Sequence, residues 1–355
     1  MLFRSMESLL RKPNIIYPEY RNTHLDQPLL TLALLPNSVV IWMEDSSGMK
    51  SVSVKTDSEK LRRQAWELRR LLGDRRTSLD EIKISSSRLY MDLLQPVGGW
   101  IGQSGPLRVD MDSELAHLPI GMLYDGRNFL AQRRQISVIQ SGLSNRKAEG
   151  RVDWHEASAL LVSDPRLPDS ARRFLPVLPQ ALEEARMVGG KFVKQRLLVG
   201  DGATLRNLEM NLPFASVLHY AGHSIVTSGG PALVLSGSQI KAALLNADAI
   251  SKWDLRGCRL AVLSACATDA GASESASRPE GLASAFLVAG VESVVGTRWP
   301  VDSEATRLFM GKFYDVLLGG ASVSEALQGA AAFVRLSPGM EHPYYWAAFE
   351  CFRAV

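Results

Sequence analysis

The chain has 355 residues, of which 46% are hydrophobic and 22% are charged, and its formal net charge is +3. This length predicts two domains or one large α/β unit, and the composition is ordinary for a globular protein. The small net charge argues against nucleic-acid binding, which usually needs a basic cluster or stripe. We therefore expect a globular protein with no nucleic-acid partner.

Cysteine usage and hydropathy predict the compartment. The three cysteines, Cys258, Cys266 and Cys351, form no paired or closely spaced set and fit a reducing environment rather than a disulfide framework. Charged residues interrupt the N-terminal stretch where a signal peptide would need an apolar core. No apolar run approaches the roughly 18 residues of a membrane span. These features predict a cytoplasmic protein with no membrane association.

The first part of the chain shows a weak α/β pattern after an irregular start. Residues 1–27 carry Pro13 and Pro18 and predict no regular element. Short apolar runs then predict strands, and apolar residues at helical spacing predict helices. The predicted elements are strands at 29–36 and 38–45, helices at 58–74 and 86–101 (the second ended by Pro96), and strands at 106–112 and 134–141.

The remaining chain alternates strands and helices more clearly. Strands are predicted at 157–165, 195–202, 215–223, 259–266, 291–300 and 344–353. Helices are predicted at 179–192, 203–210, 279–290, 303–320 and 322–335. Such alternation predicts a mainly parallel sheet covered by helices on both faces.

Two of these predicted strands end with reactive side chains, His223 and Cys266. In open α/β sheets, ligand sites lie at the carboxyl ends of strands, and adjacent parallel strands bring such ends together. A cysteine beside a histidine can be activated as a thiolate nucleophile, and the histidine can then protonate the leaving group. The alternative is that both residues are ordinary buried core groups.

Two neighbouring motifs have other interpretations. His219 precedes His223 by four residues on the same face of the predicted strand, which suggests a metal site. No third ligand of a suitable type is visible, so we expect no metal and a place for His219 in the core or behind His223. The stretch 199–205 lacks the third glycine of a dinucleotide-binding turn. It predicts an ordinary turn, and no cofactor is expected.

Several stretches, taken in order, resemble the CHAT domain, a family of caspase-like cysteine proteases that is related to separase and often fused to tetratricopeptide repeats. They are LHYAGHS, LAVLSACAT, EGLASAFLVAGVESVVGTRWPVDSEATRLFMGKFYDVLLGG, SVSEALQGA and HPYYWAAFECF, with DSELAHLPIGMLYDGRNFLAQRRQISVIQS before them. The resemblance runs from about Pro28 to Phe352. It implies a caspase-like three-layer α/β fold with a mainly parallel sheet flanked by helices. A degenerate, non-catalytic half would cover 28–150, and an active half would cover 151–355.

The resemblance also implies roles for individual residues. The catalytic histidine falls on His223 and the nucleophile on Cys266, with the backbone N–H groups of Ser224 and Cys266 as the oxyanion hole. The substrate pocket would be built near Asp164, Ser264 and Asp302, and a carboxylate there would favour Arg or Lys before the scissile bond. The alternative is that Asp164 caps the turn before Pro165 and that Asp302 caps the following helix.

Three positions depart from the family pattern. Ser224 replaces the usual glycine after the histidine, Ala267 replaces a glutamate after the cysteine, and the aspartate after WPV lies one place early at Asp302, with Ser303 at the usual site. These changes bear on specificity more than on chemistry. No tetratricopeptide repeats occur in these residues, so we expect an activating sensor or partner chain. The stretch 267–281 is rich in glycine, serine and alanine, and we expect it to order only with substrate or activator.

The sequence leaves two functional hypotheses. The first is a cysteine endopeptidase that cleaves a specific protein, for the family in bacterial defence or regulated cell death, for example a gasdermin-like pore former. The second is a non-catalytic caspase-like interaction module. The intact pair of His223 and Cys266 favours the protease. A nucleotide-binding protein is disfavoured because no glycine-rich phosphate motif opens the first βα unit.

Overall fold

The computed structural model describes residues 16–17, 27–140, 143, 152–267 and 279–354. The chain divides into two compact units, Met1–Ile139 and Gln140–Val355. Across the described ranges, none of the helices combines the length and the apolar character that spanning a membrane requires.

The first unit contains a sheet that is half antiparallel and half parallel. Its strands are β1 Ile16–Tyr17, β2 Leu29–Leu35, β3 Ser38–Asp45, β4 Gly48–Lys55, β5 Gly105–Met111 and β6 Arg134–Gln140. The order is β1-β4-β3-β2-β5-β6. The first four strands pair antiparallel, and β2, β5 and β6 pair parallel.

Four helices accompany this sheet in the described part of the unit: α1 Ser58–Leu72, α2 Leu79–Leu93, α3 Gly98–Ile101 and α4 Leu130–Arg133. The predicted strand pair and first helix are confirmed. The second helix begins earlier than predicted because the Ser78 hydroxyl accepts the N–H of Glu81 and caps it. β4 was missed because its burial pattern is mostly intermediate, and its apolar residues are few.

The second unit contains a mainly parallel sheet. Its strands are β7 Ser158–Pro165, β8 Lys194–Gly200, β9 Val217–Thr227, β10 Gly230–Val234, β11 Leu244–Asn246, β12 Leu260–Ala267, β13 Ser293–Thr297 and β14 Phe349–Ala354. The parallel order is β8-β7-β9-β12-β13, and β14 pairs antiparallel with β13. β10 pairs antiparallel with the last residues of β9, and β11 pairs antiparallel with β10.

The helices of the second unit connect these strands as crossovers. They are α5 Asp169–Arg172, α6 Pro179–Gly189, α7 Leu205–Asn211, α8 Ala247–Ser251, α9 Pro279–Val288, α10 Ser303–Leu318, α11 Val323–Arg335 and α12 Pro343–Trp346. The prediction of an α/β fold with a mainly parallel sheet flanked by helices is confirmed. Short pieces, such as β10, β11 and α8, were not predicted.

The central strands of the second unit are buried on both faces. Every residue of β13 is buried, as are the first eight residues of β9. Strands that are covered by crossover helices on both sides read as continuous apolar runs, which is why these two were recognisable in the sequence. The polar residues within β9, His219, His223 and Ser224, are therefore exceptions that need partners.

One predicted strand end is wrong. The sequence indicated that β9 stops at His223, but the strand continues to Thr227. The reason is that β10 pairs with β9 from Ser224 to Thr227 and supplies the hydrogen bonds that would otherwise be lost there. His223 therefore lies inside a long strand and not at its tip.

Candidate active site

His223 and Cys266 occupy opposed positions on neighbouring parallel strands. β9 and β12 pair from Val217–Leu260 to Ser224–Ala267, and His223 is in register with Cys266. Positions in register on adjacent strands belong to the same face of a sheet and are about 4.8 Å apart. The fold thus brings together two positions that are 43 residues apart in the chain. The expectation that both side chains face one cleft involves the Cys266 side chain, which lies outside the described residues, and it stays a prediction.

The imidazole of His223 is held by one backbone carbonyl. Its Nε2 lies 2.7 Å from the carbonyl oxygen of Pro176, and the residue is 6% exposed. A carbonyl oxygen only accepts, so Nε2 carries the proton in this contact. In the neutral ring, the lone pair is then on Nδ1. The contact therefore selects the tautomer in which Nδ1 is the base, and Pro176 is a site residue that the sequence analysis missed.

Pro176 belongs to a surface segment, residues 166–178, that we call the strap. The strap follows β7 and contains the short helix α5. Its inner side chains form a small apolar cluster with residues of the β9–β10 region: Leu167, Ala171, Leu175 and Val234, packed against Ile225, Ile240 and Leu244. Its outer side chains Phe174 and Val177 are 81% and 77% exposed. The orientation of His223 thus depends on a segment outside the sheet.

A buried tyrosine braces the backbone at His223. The Tyr220 hydroxyl oxygen lies 2.6 Å from the carbonyl oxygen of His223 and 2.7 Å from that of Val234, and it accepts the Val234 N–H at 3.2 Å. Burial raises the pKa of Tyr220 above its ordinary value, so the hydroxyl remains a donor. A Cβ on Gly222 would lie 2.8 Å from this oxygen. The glycine is therefore needed for the tyrosine to reach the strand beside His223.

A cleft of about 550 Å³ opens at His223. β7 pairs with β9 only as far as Ser163–Ala221, whereas β10 pairs with it from Ser224 onward. Gly222 and His223 lie between these two partners, and both line the cleft. The other walls come from the ends of β7 and β8 and from the strap: residues 164–167, Arg172, residues 175–178 and Gly200.

Asp164 lines the same cleft and has an unusual backbone. Its φ is 44°, the one positive value among the described residues other than glycine. It sits at an irregularity in the pairing of β7 with β8, between Ser163 and Pro165, and such bulges turn a side chain away from the regular ladder. Within the described part of the chain, its carboxylate makes no hydrogen bond or ion pair. The structure therefore places a carboxylate that neither caps nor pairs beside His223.

The other two predicted pocket residues lie elsewhere. Asp302 is the N-cap of α10, where its Oδ1 accepts the N–H groups of Glu304 at 3.0 Å and Ala305 at 3.1 Å. Ser264 is half-buried in β12, in register with Ala221 of β9. Neither residue belongs to the lining of the cleft. The capping alternative thus describes Asp302, and Asp164 is the carboxylate that accompanies His223.

Ser224 follows the histidine without a strained backbone. It pairs with Ala267 of β12 and Leu233 of β10, and its φ is not positive. A glycine is therefore not required at this position for conformational reasons. The assignment of the Ser224 and Cys266 N–H groups to an oxyanion hole stays a prediction.

His219 belongs to the core, as expected. Its Nε2 lies 3.0 Å from Oε1 of Glu184 on α6, and its Nδ1 lies 3.1 Å from the Tyr314 hydroxyl on α10. All three residues are buried. Burial and the Glu184 carboxylate raise the pKa of Tyr314 well above its ordinary value. This network joins two helices to β9, which explains why the chain has a second histidine four residues before His223.

The comparison with known families decides the identity. Residues 83–354 match the CHAT domain. The chain belongs to the CHAT-domain family. The resemblance seen in the sequence is thereby confirmed.

Relatives and solved structures of this CHAT domain extend the comparison. Tetratricopeptide repeat protein 28 of Homo sapiens and of Mus musculus are each 27% identical over 315 residues, which cover 74% of this chain and 13% of each relative. A chain of the Saccharomyces cerevisiae separase–securin complex has a TM-score of 0.57 at 10% identity, covering 94% of this chain and 30% of that chain. The Arg-specific cysteine proteinase gingipain R has a TM-score of 0.49 at 9% identity, covering 82% and 72%. The separase match confirms the caspase-like fold.

The other two cysteines of the CHAT domain are core residues. Cys258 is 1% exposed and Cys351 is 0% exposed, and burial raises the pKa of Cys258 to about 12. A buried thiol with a raised pKa is protonated at neutral pH and unreactive. Cys258 is therefore not a candidate nucleophile, and burial closes Cys351 off from any substrate.

Proposed function

We propose that this CHAT domain is a cytoplasmic cysteine endopeptidase that uses His223 and Cys266 to cleave a specific protein. The observation that carries the proposal is the register of β9 and β12, which pairs position 266 with His223, and His223 lines a cleft of about 550 Å³. The contact from Pro176 to Nε2 of His223 supports it further, because it leaves Nδ1 as the basic nitrogen.

The proposed reaction follows from this geometry. Nδ1 of His223 takes the proton of the Cys266 thiol, and the thiolate attacks the scissile carbonyl carbon. The backbone N–H groups of Ser224 and Cys266 stabilise the resulting oxyanion. The imidazolium then gives its proton to the leaving amine as the C–N bond breaks, and water hydrolyses the thioester that remains.

The residue before the scissile bond would be basic. Among the described residues that line the cleft with His223, Asp164 carries the one carboxylate, and it has no partner among them. An Arg or Lys side chain would pair with it, whereas a neutral one would leave a half-buried charge unpaired. Asp302 is engaged as a helix cap, so we assign recognition to Asp164. The expected preference is for Arg or Lys in a peptide-library profile, and Asp164→Asn should abolish it.

The biological setting that we propose rests on the family resemblance. It indicates bacterial defence or regulated cell death, with a gasdermin-like pore former as an example of the substrate. An activating partner is also proposed, because the relatives are named as tetratricopeptide repeat proteins and separase was crystallised with securin. The segment 268–278, expected to order on activation, lies outside the described residues.

A covalent probe tests the proposal without a known substrate. The purified chain would be treated with a fluorescent peptidyl acyloxymethyl ketone, in buffer and in about 1 M ammonium sulfate, which favours burial and ordering. We expect labelling of the peptide that contains Cys266, loss of labelling in Cys266→Ala, and unchanged labelling in Cys258→Ala. Absence of label on Cys266 in both solutions would favour the non-catalytic interaction module.

A further inference from the structure

The first unit contains a cavity of about 390 Å³ that the chemistry proposed above does not use. The described residues that line it all belong to this unit and come from the end of α2, from α3 and the two residues after it, from the turn 125–128 and from α4. Its volume lies in the range of small-molecule sites, about 300–1,000 Å³. The charges and donors of this lining decide which class of ligand it can hold.

A tight turn presents two polar side chains to the cavity. Tyr124 and Phe129 form a β-bridge on either side of the turn. Oδ1 of Asp125 accepts the N–H of Arg127 at 2.8 Å and the N–H of Asn128 at 2.7 Å. An aspartate that bonds to the backbone of its own turn holds that turn in one conformation. The backbone that carries Arg127 and Asn128 is therefore fixed before any ligand binds.

The carboxylate of Asp125 is fully engaged. Its Oδ2 lies 2.7 Å from a terminal guanidinium nitrogen of Arg133, and the other terminal nitrogen of Arg133 donates to Oε1 of Gln103 at 2.8 Å. Burial alone would raise the pKa of Asp125, but the two N–H groups of the turn and the charge of Arg133 outweigh burial and hold this pKa below its ordinary value. Asp125 is thus ionised at neutral pH and neutralised by Arg133.

Arg127 is left without a counter-charge. Within the described part of the chain, its guanidinium makes no hydrogen bond or ion pair, and the same holds for the side-chain amide of Asn128 and the hydroxyl of Tyr90. The lining contains two arginines and one aspartate, so one positive charge is not neutralised. Arg127 is exposed, and a ligand can therefore reach it from solvent. These groups favour an anion.

Apolar groups complete the lining. The buried side chains of Ile101 and Leu130 line the same cavity as the half-buried Tyr90. The fork of a guanidinium matches the oxygens of a carboxylate or a phosphate, and amide and phenol groups can donate to the same oxygens. A ligand with both an anionic group and an apolar ring would therefore use the whole lining.

We propose that the first unit binds a small organic anion in this cavity, with its carboxylate or phosphate group on Arg127 and an apolar ring against Tyr90, Ile101 and Leu130. The site lies within the first unit, so its ligand can be tested independently of the proposed protease function. The half of the chain that was predicted to be non-catalytic would then have a binding role of its own.

The experiment uses the full chain as wild type, Arg127→Gln, Arg127→Lys and Arg75→Gln. Arg75 is an exposed arginine of the same unit that does not line this cavity, so Arg75→Gln is the matched control for the loss of one positive charge. The probes are benzoate, phenyl phosphate, inorganic phosphate, benzyl alcohol and benzylamine. Ligand-observed NMR titration measures their affinities, and circular dichroism reports that each variant is folded.

We expect wild type to bind benzoate or phenyl phosphate more tightly than the neutral and cationic probes, and phenyl phosphate more tightly than inorganic phosphate. The affinity for the aromatic anion should fall about tenfold or more in Arg127→Gln, because a charge-assisted hydrogen bond is lost. It should recover in part in Arg127→Lys, which restores the charge without the fork. Arg75→Gln should bind within about twofold of wild type, since a distant surface charge is screened by salt.

Each other outcome overturns the proposal or a stated part of it. If folded wild type binds neither aromatic anion at about 10 mM, the cavity is not an anion site. Equal affinities in wild type and Arg127→Gln would show that Arg127 does not hold the anion. Equal losses in Arg127→Gln and Arg75→Gln would mean attraction by the overall positive charge only. Equal affinities for inorganic phosphate and phenyl phosphate would contradict the contact with the apolar ring.

Discussion

The two units of the chain use a similar mixture of strands and helices but end their strands differently. In the first unit, β2, β3 and β4 are joined by turns of two residues, 36–37 and 46–47, and form an antiparallel meander. In the second unit, helical crossovers separate β7, β8, β9, β12 and β13. A tight turn fills the end of a strand, whereas a crossover leaves the carboxyl end open. The cleft beside His223 lies at such open ends, those of β7 and β8.

Buried polar groups show the same difference. In the first unit, the buried guanidinium of Arg134 donates to the carbonyls of Ser104 and Pro106, which closes a loop onto the sheet. In the second unit, the buried His223 has Nε2 tied to Pro176, and no hydrogen bond of its Nδ1 is seen among the described residues. The first unit also contains no cysteine. The comparison teaches that a buried titratable group beside a cleft and a cysteine position occur together in the second unit.

The largest expected effect is the loss of activity when His223 of the second unit is replaced. Replacement of His117 in the first unit is the matched control. His223→Gln should lower peptide cleavage or warhead labelling at least about a thousandfold, because the thiol loses its base. His117 of the first unit is 5% exposed and stacks on Trp66 at 4.3 Å between ring centroids. His117→Gln should leave the rate per folded molecule unchanged. Labelling rates of both variants, normalised to folded protein by circular dichroism, check this, and equal losses would break the distinction between the units.

The next effect concerns the core network of the second unit. Glu184→Ala should lower the free energy of unfolding by about 2–3 kcal/mol, because it leaves buried Nε2 of His219 without its partner. Glu183 is the exposed neighbour on the same helix, and Glu183→Ala should change stability by less than about 0.5 kcal/mol. Urea denaturation of both variants measures the difference. Similar midpoints would mean that the Glu184–His219–Tyr314 network does not stabilise this unit.

The strap gives a smaller effect on catalysis, measured as a rate per folded molecule. Leu175 is 6% exposed inside the strap, whereas its neighbour Phe174 points outward. Leu175→Ala should loosen the strap and lower the labelling rate about tenfold, because Pro176 no longer holds the imidazole in one orientation. Phe174→Ala should label a small peptide probe at the wild-type rate. The idea fails if the two substitutions alter the small-probe rate equally.

A last effect, which is absent at neutral pH, is on the pH dependence of stability. The Cys258 pKa is raised from 9.0 to about 12 by burial. The unfolded chain therefore loses this proton near pH 9, while the folded chain keeps it until about pH 12. Between these values the unfolded state binds fewer protons, so stability falls as pH rises, by up to about 1.4 kcal/mol per pH unit. Cys258→Ala should show a flatter fall in urea midpoints from pH 9 to 11; a slope equal to that of wild type would contradict the assignment.

The regular part of the fold was readable from the sequence. Apolar runs and helical spacing identified the parallel strands, because burial on both faces leaves a continuous signal. β10 and β11 were missed, since strands of five and three residues carry too little pattern. The same omission produced the wrong end of β9, because its extension exists only where β10 pairs with it.

The site was only partly readable. The family motifs indicated His223 and Cys266, and the register of β9 and β12 sets these positions together. Pro176 was not predicted, because the residue that it contacts, His223, is 47 positions away along the chain. No local periodicity reports such contacts. Tyr220 left one signal, the glycine at position 222, where a Cβ would lie 2.8 Å from the Tyr220 hydroxyl oxygen.

The pairing of β9 with β12 has a consequence for the timing of activity. The two strands match over eight consecutive pairs, from Val217–Leu260 to Ser224–Ala267. Because strand positions alternate between faces, a slip of one residue would move position 266 to the opposite face from His223. A nascent or misfolded chain therefore contains both reactive residues and no reactive centre. The proposed proteolysis therefore requires that this long-range pairing is complete.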